Sequence, residues 1–169
     1  MTDIVYQQHL GSLLRPQKLL SKRHDMVKNK ADPSTLQPYE DEAIKEIIQT
    51  QRECGFHAPS DGEYRRHMFW GTFFPSLNGM TEIEGPDIEI FRMYAPDIAA
   101  FTEKGHKPGE TVICTGKISH TGKSSYIDQF EYIKTLVPKE EWGNIKLTLA
   151  APNWVSQDVR SINDGLLTR

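Results

Sequence analysis

The run HLGSLLRP at residues 9–16 decides the fold, together with the run SDGEYRR at residues 60–66. Each run follows a short extended stretch and passes through a polar turn into a helical or charged segment. In α/β barrels, the loops after the carboxyl ends of the strands hold the chemistry. The sequence therefore predicts an α/β fold in which these two runs end successive strands and face the functional end of the sheet.

The length of the chain limits how much of a barrel it can form. Its 169 residues suffice for one ordinary domain, whereas a complete (β/α)8 barrel takes roughly 250. We therefore expect a partial (β/α)8 TIM-type barrel, with about three βα units and a β-hairpin-like insertion. Residues 1–154 make up this portion, and residues 155–169 form a C-terminal tail of unclear structure, since they carry no sustained apolar stripe.

The composition is that of an ordinary globular chain and excludes several classes of protein. Hydrophobic residues make up 37% and charged residues 25% of the sequence, which favours folding over disorder. A net charge of -3 gives no broad basic footprint, so no nucleic-acid partner is expected. The sequence offers neither a membrane span nor a secretory leader, which predicts a cytoplasmic protein. Cys54 and Cys114 form no CxxC pair and are expected to be reduced and buried.

Proline and glycine punctuate the first two predicted helices. Pro16 suits the first turn of one helix, and residues 32–34 are predicted to form a loop after it. A second helix is predicted from Pro38 to Cys54, with Gly55 just beyond its end. Apolar stripes define the core faces: Leu19, Leu20, Arg23, Met26 and Val27 on the first helix, and Ala43, Ile44, Ile47, Ile48 and Cys54 on the second.

A third helix is predicted after Ser125, which forms a capping box with Asp128. Its apolar positions run through Tyr126, Ile127, Phe130, Ile133 and Val137, and Pro138 closes it. Barrel strands are predicted at residues 3–10, 56–59 and 145–152.

The insertion is predicted between the second barrel strand and the third helix. Residues 68–86 are aromatic and contain the turn dipeptide Asn78-Gly79, so the segment either lines a ligand pocket or packs its rings over one end of the barrel. Alternating polarity predicts two further strands at residues 88–94 and 111–115.

Taken together, these motifs resemble the N-terminal part of the short, stand-alone members of the cobalamin-independent methionine synthase family. Residues 9–16 resemble the opening strand and loop of that family, and residues 51–55 followed by 60–66 resemble the second. Residues 146–152 match the third strand less specifically. The resemblance covers residues 8–154, which is nearly the whole chain.

The resemblance implies a (β/α)8 barrel and the reaction that makes methionine. In that reaction a zinc ion holds homocysteine as its thiolate, which takes a methyl group from a methyl-folate, 5-methyltetrahydropteroyltriglutamate. Metal coordination is needed because a free thiol, with a pKa near 8.5, is mostly protonated at neutral pH. The chain is thus expected to resemble a homocysteine S-methyltransferase.

By resemblance, Gly11, Ser12 and Glu63 hold the amino-acid end of homocysteine. The chemistry suits this role, because a glycine turn lets the backbone approach a ligand and N–H groups near Ser12 suit a carboxylate. The Glu63 carboxylate suits an ammonium group. The structural alternative is that Gly11 only makes a turn and that Glu63 only pairs with Arg65 or Arg66.

Four further residues of the two motifs are assigned to the pocket wall or to its support: His9, Arg15, Asp61 and Arg66. Arg15 has two readings. It either binds the anionic tail of a ligand or hydrogen-bonds to carbonyl and carboxylate oxygens around the loop, which is the commoner use of such an arginine. His9 is either a substrate contact or a core histidine.

The zinc ligands of the family, a His-x-Cys pair, a glutamate and a further cysteine, have no counterparts in this chain. We therefore expect no zinc site and a truncated methyltransferase that is inactive alone, with exposed strand edges. Self-association or a second chain could complete the barrel. Two other functions stay open: a non-catalytic binding or regulatory fragment, and another zinc-dependent thiol alkyltransferase, of the coenzyme M type.

Overall fold

The computed structural model describes residues 7–68, 70–84, 103 and 110–151. The chain divides into two compact units. Unit 1 comprises Met1–Gly71 and Ser125–Leu149, and unit 2 comprises Thr72–Ser124 and Ala150–Arg169. No helix in the described ranges is long and apolar enough to span a membrane.

Unit 1 begins with helix α1, Gln17–Asn29, for which Pro16 is the N-terminal cap residue. The predicted apolar stripe is only partly right. Leu19 is buried, whereas the side chains of Leu20 and Val27 are exposed. Leu19 and Arg23 are four residues apart and therefore share one face of the helix. Leu20 and Val27 each follow a residue of that side by one position, which turns them by about 100° toward the solvent.

Helix α2, Gln37–Glu53, agrees closely with its prediction. A 3-10 turn at Pro33–Leu36 precedes it, in place of part of the predicted loop. Gly55 follows the helix with a φ of +77°, as expected of a residue just beyond a helix end. Cys54 is exposed at this end and Cys114 is half-buried, so the prediction that both thiols are buried is wrong, although both are free cysteines.

The three predicted barrel strands are extended segments joined by few hydrogen bonds rather than a full ladder. Gln8 and Ala58 form an isolated parallel bridge. The amide of His57 donates to the carbonyl of Gln7 (2.9 Å), and that of Lys146 donates to the carbonyl of Pro59 (3.0 Å). In the described residues, the segments ending near residues 10, 60 and 149 therefore lie side by side in that pairing order, with the second in the middle.

Helix α3, Ser125–Lys134, completes the core of unit 1. The helix ends before the predicted Pro138, because Thr135 and Leu136 donate tighter bonds to the carbonyls of Tyr132 and Ile133. The predicted capping box is wrong as well: Ser125 is the first helical residue, and its buried hydroxyl has no partner among the described residues. The apolar core comprises Leu19, Ala43, Ile44, Ile48, Tyr64, Ile133 and Val137.

Unit 2 contains an antiparallel pair of strands, β1 (Asn78–Glu84) and β2 (Glu110–Ser119). β2 confirms the strand predicted at residues 111–115, and the one predicted at 88–94 lies outside the described residues. The prediction of a turn at Asn78-Gly79 is wrong. The dipeptide begins β1 at a register irregularity, where Gly79 has a φ of +76°, so its conformational freedom serves a bulge instead of a hairpin loop.

Candidate functional site

The two motifs predicted to form the site lie together in unit 1. The amide of Leu13 donates to the carbonyl of Gly62 (3.1 Å), and the hydroxyl of Tyr64 donates to the carbonyl of Leu14 (2.8 Å). The turn after the first extended segment is thus fixed against the turn after the second. Both turns follow extended segments that run in parallel, as the sequence predicted.

Two consecutive residues of the second turn have left-handed backbone conformations. Gly62 has a φ of +62° and Glu63 a φ of +61°. A side chain at Gly62 would be crowded, because a Cβ there would lie 3.0 Å from the Cβ of Leu13. A left-handed conformation is uncommon for glutamate and costs on the order of 1 kcal/mol or more, so the surrounding contacts must stabilise it.

Asp61 and Arg15 supply these contacts. A carboxylate oxygen of Asp61 (Oδ1) accepts the amide of Glu63 at 2.9 Å. The guanidinium of Arg15 donates from Nη2 to the carbonyls of Glu63 (2.9 Å) and Arg66 (2.6 Å). Arg15 therefore has the second of its two predicted uses, holding loop carbonyls, and its pKa is lowered by burial, with the charge of Arg23 as the next cause.

Arg23 is a second loop-holding arginine that the sequence interpretation missed. It donates to the carbonyls of Tyr64 and Arg66, the latter at 2.9 Å, and pairs with Oε1 of Glu40 on α2 at 2.8 Å. The signal was present in the sequence, because Arg23 lies on the same helical face as Leu19. A charged residue on a core face requires a buried partner, and Glu40 supplies it.

The side chain of Glu63 is 13% exposed and points one oxygen at the third extended segment. The hydroxyl of Thr148 donates to its Oε1 at 2.6 Å, and Nη1 of Arg66 lies 3.9 Å from the same oxygen. Arg65 instead pairs with Glu40 and Asp41. The structural alternative for Glu63 is thus present only as a long ion pair with Arg66, and Thr148 is a neighbour that no sequence pattern indicated.

Gly11 and Ser12 lie at the turn before α1. Gly11 has a φ of +82°, and a Cβ built there would meet nothing within 4 Å. Ser12 is exposed, and in the described part of the chain neither its amide nor that of Gly11 has a hydrogen-bond acceptor. Both N–H groups are therefore available to a ligand beside the Leu13–Gly62 contact.

His9 and Asp61, which the sequence assigned to the pocket wall or its support, have polar atoms that are partly unsatisfied. Nε2 of His9 is buried and has no partner among the described residues, while its carbonyl accepts Nζ of Lys146 at 2.6 Å. Asp61 is 2% exposed, and its Oδ2 likewise has no partner in the described ranges. Burial raises the pKa of Asp61 above its ordinary value, opposed by the amide of Glu63 and the charge of Arg66.

Arg66 is packed as tightly as any core residue. Its side chain is 2% exposed, and its guanidinium lies 4.9 Å from the ring centroid of Tyr126. Nη1 donates to the hydroxyl oxygen of Thr148 at 3.2 Å. Its predicted supporting role is consistent with this position, since it reaches Glu63 through Thr148.

The described residues do not fit a zinc ion. Across the ranges that the structure describes, no three His, Cys, Asp or Glu side chains are grouped so that they could hold a metal. Cys54 is at the end of α2 in unit 1, and Cys114 is on β2 in unit 2. We therefore derive no reaction step through zinc.

Comparisons with known proteins support the fold of the chain. No protein-family model matches it. A 72-residue stretch is 31% identical to the uncharacterized protein YxjH of Bacillus subtilis, covering 43% of this chain and 19% of that protein. The chain also superposes on a crystal structure from Listeria monocytogenes named "Putative Vitamin-B12 Independent Methionine Synthase", with a TM-score of 0.64 and 22% identity. That match covers 96% of this chain but only 42% of the Listeria protein, so the chain has the fold of less than half of it.

Proposed function

We propose that unit 1 binds the amino-acid end of L-homocysteine, as part of a protein of the cobalamin-independent methionine synthase type. In this proposal the carboxylate of Glu63 binds the ammonium group and the N–H groups of Gly11 and Ser12 bind the carboxylate. The single observation that carries it is Glu63, a partly exposed carboxylate held in a left-handed conformation beside a turn with free amides. Strained residues of this kind cluster at functional sites.

Two further observations support the proposal. The fold of the Listeria protein extends over 96% of this chain. The two motifs that carry the sequence resemblance, residues 9–16 and 60–66, are joined directly by the Leu13–Gly62 hydrogen bond. Under the proposal, the parallel pairing of the first two extended segments serves to place these two turns side by side.

The proposal concerns binding and not methyl transfer by these residues alone. The described residues do not fit a zinc ion, and a thiol at neutral pH needs such activation to become a nucleophile. The resemblance places the zinc ligands in the second half of the barrel, outside the part that it covers. Methyl-folate and zinc are therefore proposed for the complete catalytic assembly, in which this half-site orients homocysteine.

The coenzyme M alternative fits the site less well. Coenzyme M carries a sulfonate and no amine, so it offers no cation to Glu63. A carboxylate that is 13% exposed and faces a sulfonate would be repelled by it. Homocysteine supplies both an ammonium for Glu63 and a carboxylate for the amides of the first turn.

Isothermal titration of the full chain with L-homocysteine tests the proposal. Glu63→Gln keeps the shape of the side chain but removes its charge, and we expect the Kd to rise about tenfold or more, the value of one charge-assisted hydrogen bond. Glu63→Ala should weaken binding at least as much. The matched control is Glu46→Gln, which removes an exposed carboxylate from α2 in the same unit.

The proposal fails if Glu63→Gln and Glu63→Ala both bind L-homocysteine with the affinity of the wild-type chain. Circular dichroism of each variant must first show an unchanged helix content, because Glu63 also contacts Thr148. Tighter binding of coenzyme M than of L-homocysteine would favour the alternative reaction class.

A further inference from the structure

We infer that Thr148 is a positioning residue that keeps Glu63 available to a ligand amine and so sets the selectivity of the site for amino acids over their amine-free analogues. The inference rests on the proposed function, because it concerns the carboxylate that the proposal assigns to the ammonium group. It adds a residue from the third extended segment to a site built from the first two.

The hydrogen bonds around Thr148 have a fixed direction. Nη1 of Arg66 can only donate, so at 3.2 Å the hydroxyl oxygen of Thr148 accepts from it. The single hydroxyl proton of Thr148 is then directed to Oε1 of Glu63 at 2.6 Å. Arg66 thus donates to Thr148, and Thr148 donates to one carboxylate oxygen of Glu63.

Arg66 provides a rigid base for these hydrogen bonds. It is 2% exposed. Its aliphatic part packs closely against Gly71, where a Cβ would lie only 3.2 Å from Cγ of Arg66. The guanidinium also packs 4.9 Å from the ring centroid of Tyr126, so the donor that faces the hydroxyl of Thr148 is held on two sides. Glu63 therefore has one oxygen occupied, while its Oε2 has no hydrogen-bond partner in the described part of the chain.

The hydroxyl also stands between two opposite charges. Nη1 of Arg66 and Oε1 of Glu63 are 3.9 Å apart, beyond hydrogen-bond distance, and Thr148 bonds to both. Without the hydroxyl, Glu63 can close directly onto Arg66 in a charge-assisted hydrogen bond. A carboxylate engaged in that way competes poorly for a ligand ammonium, so the loss of Thr148 is expected to reduce recognition of the amine specifically.

Titration with two ligands tests this role. L-Homocysteine and 4-mercaptobutanoate share the thiol and the carboxylate, and only the first has an amine, so the Kd of 4-mercaptobutanoate divided by the Kd of L-homocysteine measures amine recognition. We expect Thr148→Val, which keeps the shape but removes the hydroxyl, to lower this ratio about tenfold, the effect of one charge-assisted hydrogen bond. The Kd of 4-mercaptobutanoate should stay unchanged.

Thr148→Ser is the matched control, because it restores the hydroxyl and should restore the wild-type ratio. If Thr148→Val does not fold, Thr148→Ala is titrated in the same way and carries the same expectation. Equal weakening of both ligands would show a merely structural role and overturn the inference, as would an unchanged ratio. A wild-type chain that binds the two ligands equally contradicts the proposed function itself, whereas wild-type selectivity that survives the loss of the hydroxyl contradicts only the role of Thr148.

Discussion

Glu63 combines an unfavourable backbone conformation with a well-defined set of contacts. Its φ is +61°, its amide donates to Asp61 and its carbonyl accepts from Arg15. Each main-chain group of the strained residue is therefore bonded to a side chain of the two motifs. The carboxylate of Glu63 therefore points toward Thr148. Arg65, two residues further along the loop, pairs instead with Glu40 on α2.

Asp61 makes the stability of the chain depend on pH. Burial raises the pKa of this carboxyl above its ordinary value of 3.8, so the folded chain holds the proton more tightly than the unfolded chain. Linkage then requires the stability contribution of Asp61 to be greatest below that ordinary value and to be lost as the pH rises through the raised pKa of the folded state. Asp61→Asn should remove this decline and make the chain more stable than the wild type at pH 7.

Urea unfolding between pH 4 and pH 8, expressed as the free energy of unfolding, measures this effect. Asparagine keeps an Oδ1 that can accept the amide of Glu63, so the loop contact is preserved. Asp25→Asn is the matched control, because it makes the same chemical change at an exposed position on α1. Wild-type and Asp61→Asn curves that stay parallel over the whole range would contradict the assignment.

At the residue scale, the sequence predicted which residues gather but not what each one bonds to. In both motifs an extended segment is followed by a turn that contains glycine and charged residues, and this pattern predicted that residues 9–16 and 60–66 lie together. The structure joins the two motifs by the hydrogen bond between Leu13 and Gly62. Arg23 could have been recognised as a buried arginine from its helical face, but its loop partners, like those of Arg15, are backbone carbonyls. Every residue has a carbonyl, so such partners leave no trace in the sequence. Thr148 was missed for a similar reason, since a hydroxyl in an extended segment is unremarkable.

At the scale of elements, prediction succeeded where proline and glycine mark the ends. α2 begins and ends within one residue of its predicted bounds, because Pro38 has a backbone suited to the first turn of a helix and Gly55 readily adopts the left-handed conformation that ends one. The end of α3 was placed too late, since hydrophobic spacing continues through Val137 while the backbone has already tightened after Lys134. The spacing of apolar residues indicates which face of a helix is buried, but it does not show where the backbone hydrogen bonds change from the α-helical to the tighter pattern.

The end of α1 provides a test at this scale. Lys30 follows the helix with a φ of +50°, and the amide of Ala31 donates to the carbonyl of Met26 at 3.0 Å. Glycine adopts this conformation without the clash that a Cβ causes, so Lys30→Gly should stabilise the chain by about 1 kcal/mol. The free energy of unfolding in urea measures the gain.

Lys28→Gly is the matched control for this change. It removes the same exposed side chain two residues earlier, inside α1, where glycine should cost about 1 kcal/mol. Opposite signs for the two variants would support the left-handed cap. A loss of stability for both would contradict it.

At the scale of the whole molecule, the candidate site is confined to one unit. The residues assigned to ligand binding, and Thr148 with them, belong to unit 1. The sequence predicted an insertion between the second barrel strand and α3, and unit 2 contains the paired strands of that region. It did not predict β1, because the Asn78-Gly79 dipeptide indicates a turn and only Met80 of this strand is buried.

Gly79 tests whether the two units can be perturbed separately. A Cβ at this position would lie 2.6 Å from the carbonyl oxygen of Lys117, so Gly79→Ala should destabilise the β1–β2 pair by about 2 kcal/mol. Hydrogen exchange at the amides of β2 measures this loss. The Kd for L-homocysteine should stay unchanged, because every residue assigned to the candidate site belongs to unit 1.

Gly122→Ala is the control that separates the two costs of Gly79→Ala, which are the steric clash of the new Cβ and the strain of a positive φ. Gly122 also has a positive φ, +83°, but a Cβ there meets nothing within 4 Å. Its substitution should therefore cost less than that of Gly79, about 1 kcal/mol. A large loss of homocysteine affinity in Gly79→Ala alone would mean that the site extends beyond unit 1.

A crystal structure of the chain with L-homocysteine bound tests the central claim most directly. The account predicts that the ligand nitrogen lies about 2.8 Å from Oε2 of Glu63, the length of a charge-assisted hydrogen bond, with its carboxylate at the amides of Gly11 and Ser12. A ligand bound with its amine away from Glu63, or with its carboxylate away from the amides of Gly11 and Ser12, would contradict the account.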